Sequence, residues 1–344
     1  MTGLPTFDEA IEDSNAYPGG RTLLLGNGFS IDWDPGSFHY RSLFDEASFD
    51  GLNVDQDALF GLLETHDFES VIGQLRSSAD LLDLYGCTDA DLADSMRKDA
   101  QTVKLALSDA IAKRHPDAST RLSNSEAQHV AGFLRNFERV FTVNYDLLLY
   151  WALNSGQLGH QVPRQDGFEW LTADGGGLVW KRSAADRGQQ VFYLHGALHY
   201  FVESDRRLHK LSYGDSGRLV SQVKERILNG SYPLIVTEGR TTEKVARIRG
   251  DSYLTYCHDR FADLAGNLFI HGMSLSPNDD HILAALESKE SNVERLYVSI
   301  YDSDTSSATH VLARSNLISE RRHSADGRRL IVNFYDANTG HVWR

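Results

Sequence analysis

Two kinds of apolar pattern alternate along the chain. Short, continuous runs bounded by glycine or polar residues occur at 22–25 and in RVFTVNYD (139–146), QVFYLHGALHYF (190–201), NLFIHGMSL (267–275), ERLYVSIYDS (294–303) and RLIVNFYDA (329–337). Continuous rather than alternating runs of this length predict strands covered on both faces. Between the first two, the spacing changes to three and four. Leu59, Leu62, Leu63, Val71, Ile72 and Leu75, and then DLADSMRKDAQTVKLALSDAIAKRH (91–115), predict helices. Pro116 stops the last of these, and another helix is predicted over 123–136. Helices are also predicted at 7–14, 214–228 and 279–288, with turns or surface loops at 17–20, 174–177 and 182–188. Strands alternating with helices predict an α/β fold: a Rossmann-like, doubly wound, mostly parallel sheet. Residues 1–42 and 137–344 supply the sheet, and 43–136 read as an inserted helical module.

Composition narrows the classes. With 344 residues the chain can bury a core without covalent staples. Its two cysteines, Cys87 and Cys257, lie far apart, which excludes a disulfide framework or a four-cysteine zinc ribbon and fits a reducing cytoplasm. A net charge of −14 argues against a general nucleic-acid surface and against an anionic membrane as partner. No apolar run reaches roughly 18 residues, and no secretory leader opens the chain, so a soluble cytoplasmic protein is expected. One basic stretch, VTEGRTTEKVARIRG (236–250), carries Arg240, Lys244, Arg247 and Arg249. Lys244 and Arg247 share a helix face, open either to a phosphate or to solvent. Glu238 is a carboxylate of open role.

Ligands of open α/β sheets bind outside the carboxyl ends of the strands, and each candidate polar residue stands where a predicted strand ends. Gly26-Asn27-Gly28-Phe29-Ser30 has two of the three glycines of a dinucleotide fingerprint. It is either a tight turn or a pyrophosphate loop at a helix start, with Ser30 capping the helix or meeting a phosphate. Asn144 and Asp146 end the second strand, where they bind ribose or water, or else form an Asx turn with Asp146 capping the next helix. His195, beside Gly196, suits proton transfer near neutral pH; the alternative is a satisfied core histidine. His199 is peripheral, and a His195/His199 metal pair lacks a third ligand. Gly272 and Ser274 end a further strand. Asp279, Asp280 and His281 read as an acidic first helical turn before they read as a metal cluster.

In this order the motifs resemble the Sir2-like superfamily of NAD-binding proteins. Gly26, Gly28 and Ser30 match its glycine-x-glycine-x-serine loop; Thr142, Asn144 and Asp146 its threonine-x-asparagine-x-aspartate. His195-Gly196 match its histidine-glycine, and Gly272 with Ser274 its glycine-x-serine. The stretches LLLGNGFSIDWD, NYDLLLYWA and YLHGALHYF also look like the bacterial Sir2-related family DUF4917. The four-cysteine zinc module of lysine deacylases is missing, which sets protein deacylation aside. The nicotinamide-binding segment of sirtuins is matched at best by Phe38-His39-Tyr40-Arg41, with Asp32 or Asp34 as substitutes for its aspartate.

The resemblance implies a zinc-less NAD glycohydrolase, of the kind that acts as a bacterial antiphage-defence effector, releasing ADP-ribose and nicotinamide without a metal. It further implies that Asn144 orients the ribose or the attacking water, that His195 is the general base, and that Asp146 holds their hydrogen bonds. Gly26, Asn27, Gly28, Ser30, Asp32 and Gly196 would line the pyrophosphate and nicotinamide half, and Gly272 and Ser274 the adenosine half. The alternative is a non-catalytic sensor of NAD or ADP-ribose, or a structural subunit of a defence complex. A homo-oligomer or a defence-system partner protein is open in either case.

Overall fold

A computed structural model describes residues 3–34, 43–65, 68–86, 90–114, 122–154, 162–171, 176–212, 218–236, 241–302 and 305–344. Helix α1 (Phe7–Asn15) precedes strand β1 (Arg21–Leu25) and a short helix α2 (Gly28–Trp33). Then come α3 (Leu43–Glu46), α4 (Gln56–Leu62), α5 (Phe68–Leu84), α6 (Ala90–Arg114) and α7 (Asn124–Leu134). Strand β2 (Arg139–Thr142) and α8 (Leu148–Asn154) lead to β3 (Phe168–Trp170), β4 (Leu178–Trp180) and α9 (Arg182–Ala185). β5 (Val191–Tyr193), β6 (Gly196–Val202), β7 (Leu208–Lys210), α10 (Leu219–Leu228) and β8 (Pro233–Ile235) follow. The last third holds α11 (Thr241–Arg249), α12 (Ser252–Ala262), β9 (Ala265–His271), α13 (Asp280–Glu287), β10 (Asn292–Ile300), α14 (Ser306–Asp326) and β11 (Ile331–Asp336).

Six strands form one sheet in the order β11-β10-β9-β1-β2-β5, every pair parallel. The α/β, mostly parallel sheet expected from the apolar runs is therefore present. β1 shows why it forms: Leu23, Leu24 and Leu25 are all fully buried, so both faces of the strand are covered. The chain builds β1, β2 and β5 outward in one direction. It then crosses back to place β9, β10 and β11 on the other side of β1. The order of strands thus reverses between β1 and β9, where a doubly wound sheet opens its ligand crevice.

A second sheet, β3-β4-β7-β6-β8, is antiparallel throughout and was not expected. The run 190–201, read as one strand, is two strands in two different sheets. Gly196 makes the corner: its φ of +71° lies in the left-handed region, and a Cβ there would sit 1.9 Å from the Leu234 carbonyl oxygen. His195 therefore stands at the junction of the sheets. Its neighbours are held on both sides, Leu194 N–H donating to Thr142 O and Val236 N–H to His195 O, each over 2.9 Å. The loop expected at 182–188 contains the short helix α9.

Between β1 and β2 the described residues contain helices and no strand. α5 packs along α6, and Phe44, Phe49, Phe60 and Phe68 form an aromatic cluster, with Phe49 stacked on Phe68 at 5.8 Å. Among the described residues no helix is long and apolar enough to cross a membrane.

Candidate active site

The ends of β9, β1, β2 and β5 stand side by side, and each carries one of the four motifs. At the end of β1 the backbone of the glycine loop is pressed against the end of β9. A Cβ on Gly26 would lie 2.6 Å from the Met273 Cα, and one on Gly28 would lie 2.6 Å from the Gly272 Cα. Only glycines let the two loops meet. The contact is sealed by hydrogen bonds: Gly26 N–H donates to His271 O (2.9 Å) and Gly28 N–H to Gly272 O (2.7 Å). Phe29 N–H then donates to Gly26 O and Ser30 N–H to Asn27 O. The amides of Gly26, Gly28, Phe29 and Ser30 are thus engaged inside the protein. The expected pyrophosphate contact cannot use them in this conformation. Asn27 begins α2 without capping it through its side chain.

Ser30 neither caps the helix nor faces a cleft. It is fully buried, and its hydroxyl donates to Asp146 Oδ2 over 2.7 Å. Asp146 Oδ1 accepts the Leu148 N–H (2.8 Å), tying down the first residue of α8. Asn144 donates from Nδ2 to Gly26 O (3.0 Å) and to Ser30 Oγ (3.3 Å), while its own N–H donates to Thr142 Oγ1 (3.0 Å). The alternate spacing of Thr142, Asn144 and Asp146 thus makes a buried polar clasp that locks the β1 and β2 loops together. Such a network fixes geometry because each member would be costly to leave unpaired.

His195 is 6% exposed at the end of β5. Its Nε2 lies 2.8 Å from Nε2 of His281 on α13, with the rings stacked at 5.0 Å. Burial holds its pKa well below the ordinary histidine value, and the neighbouring His281, Lys244 and His258 push the same way. His195 is therefore a neutral imidazole at pH 7, the form a general base requires. His258 stacks beyond His281 at 6.0 Å, and its Nε2 is 3.1 Å from Leu194 O.

The largely apolar crevice at the switch point holds a cavity of about 470 Å³, within the usual range for small-molecule sites. Gly28, Asp32, Gly272 and Ser274 line it, joined by Ser299, Asp302, Asn338 and Arg344. Asp32 pairs with Arg344 at the wall. Asn144, Asp146 and Ser30 lie behind this wall, and His195 stands two strand ends away. Gly196 faces the Leu234 carbonyl, so it makes a corner instead of leaving room for a ligand.

Other expectations change. Lys244 is buried near His195 whereas Arg247 is exposed, so they do not share one environment. Asp279 precedes α13 without a side-chain cap bond, and Asp280 pairs with Arg314. The segment Asp279-Asp280-His281 thus opens α13 with an acidic first turn, as expected, and its histidine belongs to the His195 site. Among the described residues no group of three or more His, Cys, Asp or Glu could hold a metal ion. His199 is fully buried against Tyr150, Tyr193 and Tyr200. The thiol of Cys257 is pushed far up by burial, which makes it unreactive. Cys87, Glu238, Arg240 and Phe38-His39-Tyr40-Arg41 lie outside the described residues. No sequence pattern marked His281, His258 or Asp302 as neighbours of the site, because only the crossovers bring them there.

The chain belongs to the family described as a domain of unknown function, DUF4917, whose model matches residues 23–343. It matches none of the curated proteins. Among solved structures, a Sir2 homolog in complex with NAD aligns over 95% of this chain and 98% of its own, at 11% identity and a TM-score of 0.33.

Proposed function

We propose that the protein binds NAD, or a closely related nucleotide, across the carboxyl ends of β9, β1, β2 and β5 and hydrolyses its nicotinamide–ribose bond. The observation that supports this best is the cavity at the topological switch point, with a buried neutral histidine two strands along. Neighbouring strands are about 4.8 Å apart, so the row from β9 to β5 spans about 14 Å, a distance suited to an extended dinucleotide. The adenosine half takes the cavity, where Asp302, Ser274, Ser299 and Asn338 offer polar groups to a ribose and base. The nicotinamide ribose then lies toward His195.

The chemistry asks little of the protein. When the ribose C1′–N bond breaks, its electron pair goes to the pyridinium nitrogen, so nicotinamide leaves neutral and needs no acid. Water adds to the oxocarbenium-like carbon and gives up a proton, which His195 accepts. Asn144 and Asp146 act by holding the β1 and β2 loops in register. The physiological setting implied by the resemblance is antiphage defence.

The second reading, a sensor that binds the nucleotide without turnover, draws on two observations: the engaged loop amides and the His281 contact on His195. Incubation of purified protein with NAD, followed by chromatography of nicotinamide, separates the two. Hydrolysis predicts release by the wild type and a loss of about a hundredfold or more in His195→Ala. Nucleotide binding by calorimetry with no nicotinamide released sinks the hydrolase and leaves the sensor.

A further inference from the structure

We infer that His281 is a gate on His195: it occupies the Nε2 of His195 and must yield that atom before a substrate hydroxyl or water can reach it. The Nε2–Nε2 separation of 2.8 Å is that of a hydrogen bond between two rings. Either polarity blocks the base. If His281 donates, the lone pair on His195 Nε2 is already used; if His195 donates, that nitrogen carries the proton and is not basic.

The two rings are not equally free to move. His195 is pinned through its backbone, with Leu194 tied to β2 and its own carbonyl accepting from Val236, and Gly196 is wedged against Leu234. His281 is the second residue of α13, directly after the turn Pro277–Asp279, and is partly exposed. The ring of His258, 6.0 Å away and nearly parallel, offers it a second surface to stack on. The gate is therefore His281, and its opening breaks the Nε2–Nε2 hydrogen bond and the ring stack on His195. That bond lowers apparent affinity by about three- to tenfold, as expected when the competent state is only partly populated.

The gate rests on the hydrolase reading only for its effect on turnover, so two readouts are needed. The first is the rate at which diethyl pyrocarbonate modifies His195, followed by peptide mass spectrometry in wild type, His281→Ala and His281→Ser, without nucleotide. The second is KM and kcat for nicotinamide release. Opening the gate predicts modification of His195 about three- to tenfold faster in both variants, with KM lower by a similar factor and kcat not reduced. Unchanged or slower modification overturns the gate. So does a large fall in kcat at constant KM, which would make His281 a residue that positions His195. Faster modification with no nicotinamide released by any form leaves the gate standing and removes the hydrolase reading instead.

Discussion

The side-chain amide of Asn144, at the end of β2, donates to the carbonyl of Gly26, at the end of β1, over 3.0 Å. Through the same nitrogen it reaches Ser30, whose hydroxyl is held by Asp146. The loop of one strand is therefore set by a residue on the next. Gly26, Ser30, Asn144 and Asp146 form one buried unit behind the cavity wall.

Replacing Asn144 tests this unit. Asn144→Ala removes one of the two donors to the Gly26 carbonyl, leaving the Phe29 N–H, and takes a hydrogen-bond partner from Ser30, with an expected loss of about 1–3 kcal/mol in urea unfolding. Asn144→Asp is expected to be worse at pH 7, since it turns a carboxylate toward a carbonyl oxygen beside Asp146. Wild-type stability in Asn144→Asp would show that the amide is not the donor.

The meeting of Gly272 with the β1 loop makes a second test. Gly272 has φ +69°, and a Cβ there would lie 2.7 Å from the Phe29 nitrogen. Gly51, at φ +94°, has nothing within 4 Å of the same atom. Gly51→Ala is expected to lose about 1 kcal/mol from backbone conformation alone, and Gly272→Ala at least about 2 kcal/mol more from the clash. Equal losses in chemical denaturation would mean that the loops separate easily.

The legible parts of this molecule are those with local causes. β1, β9 and β10 were readable because strands buried on both faces leave unbroken apolar runs, β11 because it keeps such a run even at the sheet edge, and α5 and α6 because their apolar spacing is helical. The second sheet was not readable, since β3, β4, β7 and β8 have three residues each, too few to show alternation. Gly196 read as lining for a ligand because a left-handed corner against Leu234 depends on a strand nearly forty residues later. The site divided in the same way. The positions of Asn144, Asp146 and His195 at strand ends could be read, whereas what they touch could not. Asp146 holds Ser30 across 116 residues of chain, and His281 meets His195 across 86.

His271 gives a pH dependence. Burial pushes its pKa down to about 4, and its Nδ1 lies 3.0 Å from the Tyr335 hydroxyl. The folded value is below the unfolded one, about 6.5, so the folded protein binds fewer protons between them. Its contribution is fully present above pH 6.5 and is lost as the pH falls toward 4. At pH 5 the expected loss from this residue is about 2 kcal/mol relative to pH 7. Urea unfolding at the two pH values in wild type and His271→Gln measures it. The variant is less stable at pH 7 but has a flatter acid slope; parallel slopes would sink the assignment.

The pair Asp32–Arg344 separates stability from binding. Arg344 is 72% exposed at its side chain and Asp32 24%, so screening leaves the pair worth less than about 1 kcal/mol to the fold. Its place in the cavity wall gives it more influence on an anionic ligand. With Arg344→Gln, the carboxylate of Asp32 is left facing the cavity and repels phosphate. With Asp32→Asn, the guanidinium is released from its partner and attracts it. Titration calorimetry with ADP-ribose is expected to show weaker binding by Arg344→Gln and tighter binding by Asp32→Asn. The double variant should lie between them, and all three should unfold within about 1 kcal/mol of the wild type. Both differences should shrink at high salt, because the cavity wall is open to solvent. An affinity indifferent to both substitutions would place the phosphates away from this wall and move the nucleotide out of the cavity.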